Sequence, residues 1–142
     1  MLNLIKLNEK KIEVFKNAIA TMANFKKVFN RDLNPAFIAE LYAAEKLDLG
    51  INPAATERGF DALDSESKRY EIKYRRLDTQ NVDANNFNFD YMILANLDDD
   101  YRLVGMWRIN TDQARQIFLS RERFRKYQTT QAKFKSIAER IV

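Results

Sequence analysis

The residues able to do chemistry lie close together. Asp61 sits in Gly59-Phe60-Asp61-Ala62-Leu63-Asp64, and Glu71-Ile72-Lys73 follows within Tyr70-Glu71-Ile72-Lys73-Tyr74. Two carboxylates and a lysine that converge on one spot can hold a divalent metal and place a water for phosphodiester hydrolysis. The chain has no histidine and no cysteine. That excludes imidazole and thiolate metal sites, disulfides, and Ser-His or Cys-His dyads. Carboxylate chemistry with a hard metal is nearly the only hydrolytic route left.

The triplet by itself is weak, because Glu-x-Lys occurs three times: Glu9-Lys10-Lys11, Glu66-Ser67-Lys68 and Glu71-Ile72-Lys73. Context separates them. Glu9 opens a helix with no aspartate before it, and Glu66 falls in a turn. Glu71 and Lys73 lie in a strand, where residues two apart share a face. If that strand pairs with the one before it, Asp61 approaches Glu71.

These residues need elements to position them. Apolar residues at three- and four-residue steps predict a long amphipathic helix from Asn8, its cap, to Phe29. Asn34-Pro35 opens a second helix, to about Asp48, which stops at Gly50. On its wheel Glu40 falls inside the apolar arc, where a carboxylate is costly unless paired or metal-bound; Glu45 falls at the other side of the same arc. A loop from Ile51 to Arg58 leads to a short strand, Phe60 to Asp64, a polar turn, and a strand from Arg69 to Arg76. In the latter Tyr70, Ile72 and Tyr74 point one way and Glu71, Lys73 and Arg75 the other. Leu77 to Asn88 is a long Asn-rich loop. Asp90–Leu97 and Tyr101–Ile109 form a hairpin around Asp98-Asp99-Asp100, read as a polar turn. Thr111 caps a helix to about Leu119 or Ser120, and Thr129 or Thr130 caps a last helix running to the C-terminus.

Composition sets the bounds. The 142 residues are 46% hydrophobic and 31% charged, which suits one globular domain with a real core. No apolar run approaches the roughly 20 residues needed to span a bilayer. The apolar stretch at Met1-Leu2-Asn3-Leu4-Ile5 is too short for a signal peptide. The expectation is an intracellular, cytoplasmic protein with no membrane association. Arg102 to Val142 carries ten Lys/Arg against three Asp/Glu, whereas Met1 to Tyr101 carries fourteen against seventeen. A basic tail beside an acidic front half suggests a polyanion-binding surface next to a cation-binding one.

Phe37-Ile38-Ala39-Glu40-Leu41-Tyr42, Gly59-Phe60-Asp61-Ala62-Leu63 and Tyr70-Glu71-Ile72-Lys73, in that order, resemble the PD-(D/E)XK nuclease superfamily, the restriction-endonuclease-like fold. The resemblance covers roughly Asn34 to Arg76 and extends through the hairpin to Ile109. Phe60 stands where the family name has proline. The family core also places a helix between its third and fourth strands, where this chain reads as a hairpin.

The resemblance implies an α/β (α+β) fold with a central mixed β-sheet of about four strands flanked by helices. It implies one domain, 1–142, with an N-terminal helix 8–30, a catalytic core at about 34–109 and basic C-terminal helices 110–142. Asp61 and Glu71 would bind Mg²⁺, with Mn²⁺ substituting, and the Ile72 backbone carbonyl would be a further ligand. Lys73 would position the water and stabilise transition-state charge, and Glu40 would orient a metal-bound water or assist a second ion. Arg75 and Arg76 would grip adjacent phosphates, with Arg58 and Arg69 as weaker candidates. Arg121, Arg123, Arg125 and Lys126 would track a nucleic-acid backbone, extended by Lys133 and Lys135. The implied activity is metal-dependent hydrolysis of nucleic acid, foremost as a DNA endonuclease working as a homodimer. Two alternatives remain: a non-catalytic nucleic-acid-binding or assembly module on the same fold, and an interaction protein whose first helix docks a partner.

Overall fold

The computed structural model describes residues 4–53, 59–76 and 79–142. The chain divides into two compact units, Met1–Asn34 and Pro35–Val142. The first is helix α1, Glu9–Phe29, with none of its residues buried. The Asn8 side chain accepts from the Lys11 amide at its start, and Asn30 ends it in the left-handed region with φ 54°. A left-handed asparagine here matches its usual role in closing helices.

The second unit begins with α2, Pro35–Leu47. The strands are β1 (Gly50–Ile51), β2 (Ala62–Leu63), β3 (Arg69–Arg75), β4 (Val82–Ala84), β5 (Tyr91–Leu97), β6 (Leu103–Asn110), β7 (Leu119–Arg121), β8 (Lys126–Thr129) and β9 (Glu139–Arg140). Helices α3 (Thr111–Ile117) and α4 (Gln131–Ile137) are short, and a 3₁₀ turn spans Glu122–Phe124. Six strands form a mixed sheet in the order β1-β2-β3-β5-β6-β9; the other three form a second sheet, β4-β8-β7. Only β3 and β5 run parallel among the paired strands of the large sheet.

β5 explains the layering. Every residue from Met92 to Leu97 is buried, as a strand covered on both faces requires. Ile93 and Ala95 join Ala39 and Ala43 of α2, Ala62, Tyr70 and Ile72 in one cluster. Met92 and Leu94 join Val82 and Ala84 of β4, Ala114 of α3 and Phe134 of α4 in another. So α2 covers one face of the large sheet. The small sheet with α3 and α4 covers the other.

The tip of the β5–β6 hairpin is a polar turn. The Asp98 carboxylate accepts from the Asp100 and Arg102 amides at 2.8 and 2.9 Å. Gly105 on β6 lies under the Trp107 ring, so a Cβ there would run into the indole. Lys135 Nζ and Arg140 Cζ stand over the same ring at 4.3 and 5.3 Å. Gly105→Ala is therefore expected to cost about 1–3 kcal/mol by overpacking. It should also shift the emission of the single tryptophan, both read in one fluorescence-monitored denaturation.

Several expectations need correction. The large sheet has six strands rather than about four, and a second sheet of three accompanies it. The stretch read as an Asn-rich loop carries β4, and this strand sits in the crossover between parallel β3 and β5. The C-terminal region 110–142 is not simply helical: β7, the 3₁₀ turn and β8 lie between its two helices, and β9 pairs with β6 after the second. Asn110, not Thr111, caps α3, in a reciprocal box with Gln113. Thr130 caps α4. Three- and four-residue strands leave too little alternation to be seen against loop sequence.

Candidate active site

Asp61 immediately precedes β2 and is clamped from three sides. Its amide donates to the Tyr70 carbonyl at 2.9 Å, and its own carbonyl accepts from the Asn52 amide at 2.8 Å. Its carboxylate oxygen Oδ2 accepts from the Ile72 amide at 2.7 Å. The clamp follows from the β2–β3 pairing, Ala62 with Tyr70 and Leu63 with Arg69. Asp64 tightens the connecting turn by accepting from the Glu66 and Lys68 amides at 2.8 and 3.0 Å. One step along this register, Asp61 stands opposite Glu71.

On β3, Tyr70 and Ile72 turn into the core and Glu71 and Lys73 are half-buried on the other face. The parallel register places Glu71 beside Met92 and Lys73 beside Leu94. Both side chains therefore share the face of the large sheet covered by the small sheet. Lys73 Nζ lies 3.5 Å from Glu71 Oε1, with 21% and 26% of the two side chains exposed. Burial pushes the Glu71 carboxyl up to about 7; the Asp61 charge adds to this, Lys73 opposes it, and Glu40 adds a smaller push. Carboxylates that raise one another in this way share a small, poorly solvated volume.

Glu40 projects from α2 and is 4% exposed. Glu45, the other carboxylate of the apolar arc, is exposed and lies 3.5 Å from neighbouring Lys46. The structure thus separates the two residues that the helical wheel leaves together. Glu40, Asp61, Glu71 and Lys73 occupy one electrostatic neighbourhood, with Glu71 at its centre.

The candidate nucleic-acid-binding residues fare differently. Arg58 lies outside the described residues. The Arg69 guanidinium stands 5.5 Å from the Phe60 ring centroid. Arg75 is turned inward: it donates to the Asn81 and Tyr74 carbonyls and to Asp83 at 2.8, 2.6 and 2.7 Å. Arg76 pairs with Asp99 at 2.6 Å, and both side chains are largely exposed, so the pair contributes little to stability. Arg121 is on β7, Arg123 in the 3₁₀ turn, and Arg125 follows it in the left-handed region with φ 53°. Lys126 on β8 lies 3.4 Å from Asp83.

Asp83 is the residue that sequence reasoning missed. Burial alone would raise its pKa, but Lys73, then Arg75 and Lys126, hold the carboxyl below the usual aspartate range. It thus links the candidate site to the small sheet. Its only sequence signal is the three-residue stretch Val82-Asp83-Ala84, apolar at both ends.

The donor set suits Mg²⁺. Asp61 and Glu71 offer hard oxygens, and their crowding leaves excess negative charge that a cation would relieve. Among the described residues no group of three or more carboxylates is arranged to hold a metal. Mg²⁺ commonly uses only one or two carboxylates and completes its shell with water and phosphate oxygens. No helix among the described residues is long and apolar enough to cross a membrane. Neither the models of known protein families nor the curated proteins give a match to this chain.

Proposed function

We propose that this chain is a Mg²⁺-dependent nuclease with a restriction-endonuclease-like core, hydrolysing phosphodiester bonds of DNA. The observation that carries the reading is the pairing of β2 with β3, which sets Asp61 opposite Glu71 with Lys73 3.5 Å from Glu71, while Glu40 adds a smaller electrostatic push from α2. The strand order supports it: a short antiparallel β1-β2-β3 meander delivers the acidic residues, and a parallel step to β5 follows. The β5–β6 hairpin, where the family core has a helix, departs from the family pattern but lies outside the constellation.

Asp61 and Glu71 would hold the metal, with the Ile72 carbonyl beside them. Bound there, Mg²⁺ supplies charge to polarise the scissile phosphate and to lower the pKa of a bound water. Lys73, steadied by Glu71, presents a positive charge to the phosphate oxygens and orients the attacking water. Glu40 acts from α2 as an acceptor that orients water. The half-buried setting strengthens each of these interactions over its value in water. One such site cuts one strand, so duplex scission calls for two copies.

The direct test is incubation of the purified protein with supercoiled plasmid and single-stranded circular DNA, with Mg²⁺, Mn²⁺ or EDTA. Nicked or linear product is expected with either metal and none with EDTA. Salt-sensitive DNA binding without cleavage under any metal would replace the reading with that of a nucleic-acid-binding module.

A further inference from the structure

The small sheet carries a second anion-adapted feature, separate from the carboxylate site. In its register Asp83 pairs with Gln128 and Gln128 with Leu119, while Lys126 pairs with Arg121. Residues paired across strands share a face, as do those two apart. Asp83, Gln128, Leu119, Lys126 and Arg121 thus stand together on the outer side, opposite buried Val82, Ala84 and Thr129. A cavity of about 130 Å³ opens on this side between the sheet and α4, lined by Asn81, Leu119, Arg121, Gln128, Thr130 and Lys133 among others.

The lining is rich in donors. Among the described residues no carboxylate lines it. Neither Arg121 nor Lys133 is engaged in an ion pair among the described residues. Thr130 Oγ1 accepts from the Lys133 amide at 3.1 Å, which leaves its O–H free to donate. Asn81 and Gln128 add amide N–H groups. At roughly 30 Å³ per water, the cavity has the space of about four waters, enough for one tetrahedral oxyanion, and it opens to solvent. Two cations, neutral donors and that volume describe a phosphate seat.

We propose that this cavity is a phosphate subsite for the nucleic-acid strand, with Arg121 and Lys133 neutralising one backbone phosphate and Thr130, Gln128 and Asn81 donating to its oxygens. That the phosphate belongs to nucleic acid rests on the nuclease reading. The placement supports it: Asp83, in the same row as Gln128, pairs at 2.7 Å with Arg75, two residues from Lys73 of the candidate site. The Arg75–Asp83 pair thus ties the outer row of the small sheet to the strand that carries Lys73.

The test is oligonucleotide binding in EDTA, followed by fluorescence anisotropy across a salt titration. The proteins are wild type, Arg121→Ala/Lys133→Ala, the single Lys133→Gln, and Lys10→Ala/Lys11→Ala as a charge-matched control on α1. Arg121 and Lys133 are exposed, so the melting curves of their variants should overlay wild type. The double variant is expected to bind more weakly, uniformly across sequences, with the salt slope reduced by about 1. Lys133→Gln should fall between. Inorganic phosphate should compete with oligonucleotide on wild type and less on the double variant.

Three results would overturn the subsite: unchanged affinity and slope in the double variant, an equal loss in the α1 control, or no oligonucleotide binding by wild type. Loss of phosphate binding with oligonucleotide binding intact would also overturn it, in favour of a free-anion site. Cleavage is assayed in parallel. Binding through the cavity by a protein that never cleaves would defeat the nuclease reading and leave the subsite standing.

Discussion

Asp61→Asn is expected to lower Mg²⁺-dependent cleavage by about 10³-fold or more, the scale lost with a preorganised electrostatic group, while the fold stays intact. The choice of asparagine matters. Asp61 accepts the Ile72 amide at 2.7 Å, so alanine would remove a clamp between β2 and β3 as well as a charge. Asparagine keeps an acceptor oxygen for that amide and deletes only the negative charge. The melting midpoint should therefore move by no more than a few degrees, the shift that about 1 kcal/mol produces in a domain of this size. Calorimetry should show Mg²⁺ binding weakened in step with activity. A variant that cleaves plasmid as fast as wild type would remove Asp61 from the site and end the nuclease reading.

The second large effect concerns the metal-free protein. Glu71 has a folded pKa near 7 against an ordinary value of 4.5. Between those values the native state holds a proton that the unfolded chain has released. Stability must then fall as pH rises through that window, by on the order of 3 kcal/mol in total. The contribution is fully lost above the folded pKa, so metal-free protein should be more stable at about pH 5 than at about pH 8. With no histidine in the chain, no imidazole competes in this range. Glu71→Gln should flatten the profile and make the protein more stable than wild type on the alkaline side. Denaturant melts in EDTA at several pH values decide it. Parallel wild-type and Glu71→Gln profiles would mean that Glu71 is ionised and well solvated after all. Mg²⁺ should restore alkaline stability to wild type and not to Glu71→Gln, since mass action stabilises only a fold that binds the ion.

The sequence is most legible where pattern and chemistry are both strong. Asn8 and Phe29 bound α1 as caps and periodicity indicate, and Pro35 opens α2. β3 shows its alternation in seven residues, with Glu71 and Lys73 on one face, so its part of the site can be read directly. The wheel of α2 could not rank Glu40 above Glu45, because both lie in one arc. Only packing against β3 and β5 buries Glu40 and leaves Glu45 in water. The small sheet was invisible for another reason. Its strands, three or four residues each, come from positions 82–84, 119–121 and 126–129, and they pair through tertiary contacts that no local window contains. Asp83 and the inward turn of Arg75 were hidden with it. A basic run reads as a solvated track until one of its members is found holding a carboxylate next to the site.

The last strand also has a bearing on how the molecule behaves in company. β9 lies along β6, Trp107 against Arg140 and Arg108 against Glu139, and beyond it Met106 exchanges backbone hydrogen bonds with Ile141 and Val142. These four residues occupy what would otherwise be an open ladder of amides and carbonyls on a long apolar strand, the sort of margin along which sheets of separate molecules zip together. Glu139 and Arg140 put charge of both signs at that margin. A stretch of which Ile141 alone packs against the core cluster thus serves as a selvedge, binding off the weave along β6.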